Sequence, residues 1–208
     1  MNLSKFLLID AALVISAIAL LYFLQGRKMK FPQLIGSNKG ELLRKTSVKI
    51  PEREKLIELE KLAKNQGSGI EFDSLVGDWK FNSVWKEDQD QEDPVFSSLL
   101  KIFSANIEFK KKVSAENSRK FPLIASIQFG LFTIEFSGSG CLKGKQPLLA
   151  FFLNLIKLKS GANTLLSRSL REPKGEEKSF FALIALGGNG EWLSARGQGG
   201  SVVIWLKD

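Results

Sequence analysis

The order of apolar and polar residues divides the chain into stretches of different period. Residues 6–24 are apolar apart from Asp10, Ser16 and Tyr22. As a helix rising 1.5 Å per residue, this run is about 28 Å long, close to the thickness of a bilayer's hydrocarbon layer. Residues 51–66 have helical spacing, with Leu56, Leu59 and Ala63 at i, i+3 and i+7 and Ile57 and Leu62 beside them. Pro51 suits the first turn, Glu52 and Glu54 suit the positive end of the helix, and Gly67 stops it. From Trp79 onward the period is two.

Trp79, Phe81 and Trp85 alternate with Lys80 and Asn82. Residues 94–103 suit either a short helix or an irregular crossing. Ala105, Ile107, Phe109 and Lys111 alternate with polar neighbours, as do Leu123, Ala125, Ile127 and Phe129. Gly130 breaks the run, and Phe132, Ile134 and Phe136 resume it, with Gly138, Gly140 and Gly144 loosening the exit. Residues 148–158 are apolar on both faces, which suits a strand covered on both sides or a helix. Residues 168–178 predict a loop and 179–186 a strand. Gly187-Gly188-Asn189-Gly190 predicts a hairpin turn, 191–196 run back, Gly197-Gln198-Gly199-Gly200 turns again, and 201–207 close the sheet. About eight strands without alternating helices predict a mainly β fold, an antiparallel β-barrel capped by the helix over 51–66. Gly77 suits a turn or a close backbone approach, and Trp79 can plug the end of such a barrel.

The domain organisation is then a transmembrane anchor over residues 1–26, a basic linker over 27–50, and the helix with its barrel over 51–208. Lys5 precedes the apolar run and Arg27, Lys28 and Lys30 follow it, which places the C-terminal domain on the cytoplasmic (or stromal) side of a single-pass protein. A cleaved signal peptide is the alternative; the length of the run and the basic cluster after it count against that.

The net charge of +8 favours an anionic partner, a membrane surface or nucleic acid. Lys110, Lys111, Lys112 and Lys120 form a basic group, but Phe109 and Phe121 beside them are inward by alternation, so the stacking surface a nucleic acid needs is missing. The chain has no histidine, which removes the usual general base and the commonest metal ligand. Asp88, Asp90 and Glu92 lack the glycine and late glutamate of a calcium loop. The glycine clusters lack phosphate-loop spacing. The single Cys141 excludes an intrachain disulfide and stands without a base beside it: a small apolar group, or an attachment point for a lipid or chromophore. No catalytic residue, metal site or cofactor is indicated, and the expectation is a protein that is not an enzyme.

What the sequence does supply is apolar volume. Sixteen phenylalanines against one tyrosine make a skewed aromatic set. Phe81, Ile107, Phe109, Ile127, Phe129, Phe132, Ile134, Phe136, Phe151 and Leu153 are the candidate lining of a dry interior that would hold an isoprenoid, pigment or acyl chain; an ordinary packed core is the plain alternative.

Two segments resemble the plastid-lipid-associated, or fibrillin, family of chloroplasts and cyanobacteria. The first is Leu56-Ile57-Glu58-Leu59-Glu60 followed by Leu75-Val76-Gly77-Asp78-Trp79-Lys80-Phe81. It is similar to that family's leucine–glutamate helix and L-x-G-x-W strand. The second, Ala195-Arg196-Gly197-Gln198-Gly199-Gly200 with the apolar residues after it, is similar to its closing S-R-G-x-x-G strand, with Ala195 where a serine is common. The resemblance implies a lipocalin-like barrel that binds a hydrophobic isoprenoid quinone, carotenoid or lipid at a thylakoid membrane. Gly77-x-Trp79 also resembles the G-x-W of lipocalins, which implies that Arg196 covers Trp79 and that Gly77, Trp79 and Arg196 close the barrel. The rival expectation is a non-catalytic assembly or stabilising factor for a photosynthetic membrane complex, with the barrel as a filled scaffold.

Overall fold

The computed structural model describes residues 48–85, 92, 94–111, 120–170 and 179–208. The helical spacing of Leu56 and Ala63 is realised in α1 (Arg53–Gln66), which ends at Gly67 and carries Glu54 and Lys64 at the ends its dipole favours. A single turn, α2 (Phe72–Leu75), leads into β1 (Gly77–Trp85), and α3 (Pro94–Ile102) resolves residues 94–103 as a helix. Then come β2 (Asn106–Phe109), β3 (Lys120–Phe129), β4 (Phe132–Lys143), β5 (Leu148–Ser160), β6 (Asn163–Ser169), β7 (Ser179–Leu186), β8 (Trp192–Gly197) and β9 (Val202–Lys207).

The nine strands form one antiparallel sheet in the order β4-β3-β2-β1-β9-β8-β7-β5-β6, and a further β4–β5 pairing closes it into a ring. Closure requires tilt, and the register shows it. Trp85, Val202, Arg196, Ala182, Leu148 and Lys143 are successive partners from the last residue of β1 to the last residue of β4, which lies at the opposite end of the ring. β5 pairs with β4 along its length but divides on its other edge. Leu148 to Phe151 pair with β7, and Leu155 to Ser160 pair with β6. β6 therefore stands beyond the point of closure, and all seven of its residues are exposed.

Period-two alternation sends one side chain of each pair into the ring. In β3, Phe121, Leu123, Ala125 and Ile127 are buried and the residues between them are not. They join Trp79, Phe109, Phe136, Phe151, Phe181 and Trp205 in a single apolar cluster. α2 closes one end: Leu75 is fully buried, and the Phe72 ring lies 4.4 Å from that of Phe121. Leu100 of α3 joins the cluster too, and Ser97 Oγ accepts the Val84 N–H at 3.1 Å.

Several expectations change. Trp85 does not share a face with Trp79 and Phe81. A bulge between Phe81 and Ser83 shifts the phase, so Val84 points in and Trp85 out. Residues 148–158 form a strand, because β4 takes one edge and β7 and β6 share the other. Gly138 and Gly140 lie inside β4 rather than at its exit. β6 was not expected, since a fully exposed strand has no alternating pattern to show. It takes residues 168 and 169 from the predicted loop, the rest of which, 171–178, lies beyond Leu170 and outside the described residues.

α1 does not cap an end. Leu56 packs on the outer wall with Ile184, Ala185, Val202 and Ile204. The apolar outer faces of β7 and β9 demand cover, and the helix supplies it. Among the described residues no helix is long and apolar enough to cross a membrane. The predicted span over 6–24, the linker up to residue 47, and Asp88 and Asp90 lie outside those residues.

Candidate functional site

The candidate lining residues separate into three groups. Phe81, Ile107, Phe109, Ile127, Ile134, Phe136 and Phe151 are buried together in the ring's central cluster. Phe132 and Leu153 are partly buried against it. Phe129 is not brought in. It is 38% exposed at the β3–β4 hairpin, beyond the closed part of the ring, and its ring meets Phe103 at 5.6 Å.

The interior rings touch one another. Phe151 stacks on Phe181 at 5.4 Å, Phe181 meets Trp205 edge-on at 5.3 Å, and Phe109 meets Phe121 edge-on at 6.1 Å, the geometries aromatic quadrupoles favour. Phe121 and Trp205 were not among the expected lining, although the alternation of β3 already marked Phe121. The buried polar side chains lie elsewhere. Glu60 is on α1, Ser97 is on α3, and Ser83 and Ser194 flank Ile204 on the outer wall. Among the described residues the central cluster is built of apolar side chains, which offer dispersion contacts.

Trp79 anchors the α2 end. It is fully buried, and its Nε1–H donates to the Leu75 carbonyl at 2.7 Å. The cation over its ring is Lys207, with Nζ 5.1 Å from the centroid. Gly77 explains how that side chain arrives. Its φ is +129°, and a Cβ there would lie 3.2 Å from Lys207 Cε. Gly77 and Trp79 are therefore two parts of one closure.

The cation implied for that closure, Arg196, sits elsewhere. It pairs with Val202, five residues up β9 from Lys207, about 16 Å at the rise of a strand. Arg196 Nε donates to Glu60 Oε1 at 2.7 Å and Nη2 to Oε2 at 2.5 Å, while Nη1 donates to the Gly200 carbonyl. Lys64 Nζ lies 3.1 Å from Glu60 Oε1. Burial alone would raise the Glu60 carboxyl, but the hydrogen bonds from Arg196 and Lys64 outweigh it and hold the group below its ordinary value. Glu60 was missed as a site residue, yet the signal was present: it falls at i+4 from Leu56, inside the apolar stripe of α1.

Cys141 is half-buried on β4, opposite Lys120 and Ala150. The chain matches no family model and no curated protein.

Proposed function

We propose that this chain is a lipocalin-like protein of the fibrillin type, without catalytic activity, that binds a hydrophobic small molecule such as an isoprenoid quinone, carotenoid or lipid at a photosynthetic membrane. The observation that carries the reading is the ring's buried central cluster, which is apolar and includes eight aromatic side chains contributed by β1, β2, β3, β4, β5, β7 and β9. A polar ligand would leave its hydrogen-bonding groups unsatisfied there, whereas an isoprenoid or acyl chain loses nothing. The apolar run over residues 6–24 would tether the barrel where such molecules are dissolved.

The test is extraction with organic solvent of the full chain purified from its native cell. A pigment, quinone or lipid recovered in proportion to protein supports the carrier. Recovery of none rejects it.

A second reading, a scaffold that stabilises a membrane complex, draws support from the contacts among Phe151, Phe181 and Trp205, which fill interior space with the protein's own rings. Leu165 and Leu166 on β6 would then form part of its docking surface, at 56% and 61% exposure. Membrane subunits retained through affinity purification would favour it.

A further inference from the structure

Of the seven exposed large apolar side chains among the described residues, five gather at one end of the ring. The β3–β4 hairpin carries Phe129 and Leu131, the latter 80% exposed, α3 ends on Ile102, and β6 carries Leu165 and Leu166. Backbone contacts bring these three pieces together. The Gly161 N–H, in the β5–β6 turn, donates to the Leu131 carbonyl at 3.3 Å, and the Gln128 N–H donates to the Phe103 carbonyl at 2.7 Å. The same end is continuous with the interior. Ile127, Ile134, Leu158 and Leu166 are successive register partners across β3, β4, β5 and β6, so their side chains share the inner face. Along that row Ile127 and Ile134 are buried, Leu158 is partly buried against the central cluster, and Leu166 is exposed.

Apolar side chains clustered on a surface mark an interaction site. A protein interface is typically centred on aromatic and arginine anchors, whereas four of these five side chains are aliphatic. The chain itself points to a lipid surface. Its apolar run over residues 6–24, outside the described residues, has the length of a bilayer's hydrocarbon layer, and residues 25–47 would reach at most about 80 Å even if fully extended. A barrel held within that range needs only a weak surface affinity to settle in one orientation. Residues 25–47 also carry six cations against Glu41, and Arg168 is exposed on β6, which favours anionic headgroups. We propose that the β3–β4 and β5–β6 turns, with the end of α3, dip into the headgroup layer of an anionic bilayer, so that the row from Leu166 to Ile127 leads from lipid into the ring. The inference rests on the membrane-tethered reading above and names the route by which its ligand would enter.

The test reconstitutes the full chain in mixed phosphatidylcholine–phosphatidylglycerol vesicles containing a lipid with a nitroxide on its acyl chain. A nitrobenzoxadiazole label is placed at Leu131→Cys or, as the control on α1, at Leu62→Cys, each in a Cys141→Ser background. Both native side chains are exposed, at 80% and 48%, so neither label disturbs the core. Insertion to the depth of an interfacial segment should blue-shift the label at 131 and quench about half of its emission, with the label at 62 left unquenched. Ile102→Asp combined with Leu165→Asp, also at exposed positions, should reduce quenching at 131 severalfold. Equal quenching at 62 and 131, or quenching unaltered by the aspartates, overturns the proposal. So does a label at 131 that shifts only as protein concentration rises, which would assign this end to a second copy. Flotation of the vesicles reports the tether separately. A chain that floats with position 131 unquenched overturns the proposal alone, and a chain that does not float overturns the tethered reading with it.

Discussion

Arg196 on β8 and Glu60 on α1, 136 residues apart, hold one another in a bidentate ion pair on the outer wall of the ring. It is a polar contact that ties down a helix also held by Leu56 and its apolar neighbours. The two partners are unequal. The Glu60 side chain is 6% exposed and that of Arg196 26%. Removing Arg196 takes the bidentate partner from a buried carboxylate and leaves it Lys64, whereas removing Glu60 leaves a guanidinium that reaches water. Arg196→Ala should cost about 3 kcal/mol and Glu60→Ala about 1–2 kcal/mol. Urea unfolding of both variants checks the order; a larger loss from Glu60→Ala would contradict it.

The same pair makes stability depend on acid. The folded Glu60 carboxyl is held below its ordinary value, so its contribution is complete above the unfolded carboxylate's pKa and is lost as pH falls through the folded one. Glu60→Gln should therefore flatten the decline of stability measured from about pH 7 to about pH 3. An unchanged slope would show that Glu60 does not set it.

At the closed end, Gly77→Ala meets two obstacles: a φ of +129° and the Lys207 side chain at 3.2 Å. The expected loss is about 1–3 kcal/mol. Lys207→Ala alone should cost about 0.5–1 kcal/mol, the worth of its contact with Trp79. Added to Gly77→Ala, it should recover only the steric part, because the backbone strain remains. Thermal unfolding of the two single variants and the double variant separates the terms.

Gly138 should be the least replaceable residue of β4. It sits at a register shift, and a Cβ there would lie 1.9 Å from the Phe152 carbonyl oxygen and 2.8 Å from Leu153 Cα. Both are backbone atoms that cannot step aside. Gly138→Ala should cost more than about 4 kcal/mol or prevent folding, whereas Gly188→Ala, with open space around it, should fall within about 0.5 kcal/mol of the parent. Soluble yield and unfolding midpoints decide.

On β6, Leu165→Lys and Leu166→Lys should change stability by less than about 0.5 kcal/mol, since both side chains are exposed. If the chain is a scaffold docking through this strand, the same variants should lose co-purifying membrane subunits while folding normally. Retention of those subunits would remove β6 from the docking surface.

Much of the ring could be read directly. Strict alternation in Phe121 to Ile127, glycine turns at 187–190 and 197–200, and the helical spacing of Leu56 and Ala63 each encode local geometry, and local geometry needs no partner to be legible. That the chain is mainly β, that Trp79 is buried, and that most of the named phenylalanines point inward all follow from periods of two and 3.6. Tertiary structure alone decided what depends on which strand meets which. The bulge after Phe81 turns Trp85 outward because β9 holds the register there. β5 joins two neighbours on one edge because β7 leaves it after Phe151. Lys207, not Arg196, covers Trp79 because pairing with β1 sets it opposite that residue, while Arg196 faces a helix 136 residues away. Periodicity states which side of an element is apolar; only chain closure states what that side will touch.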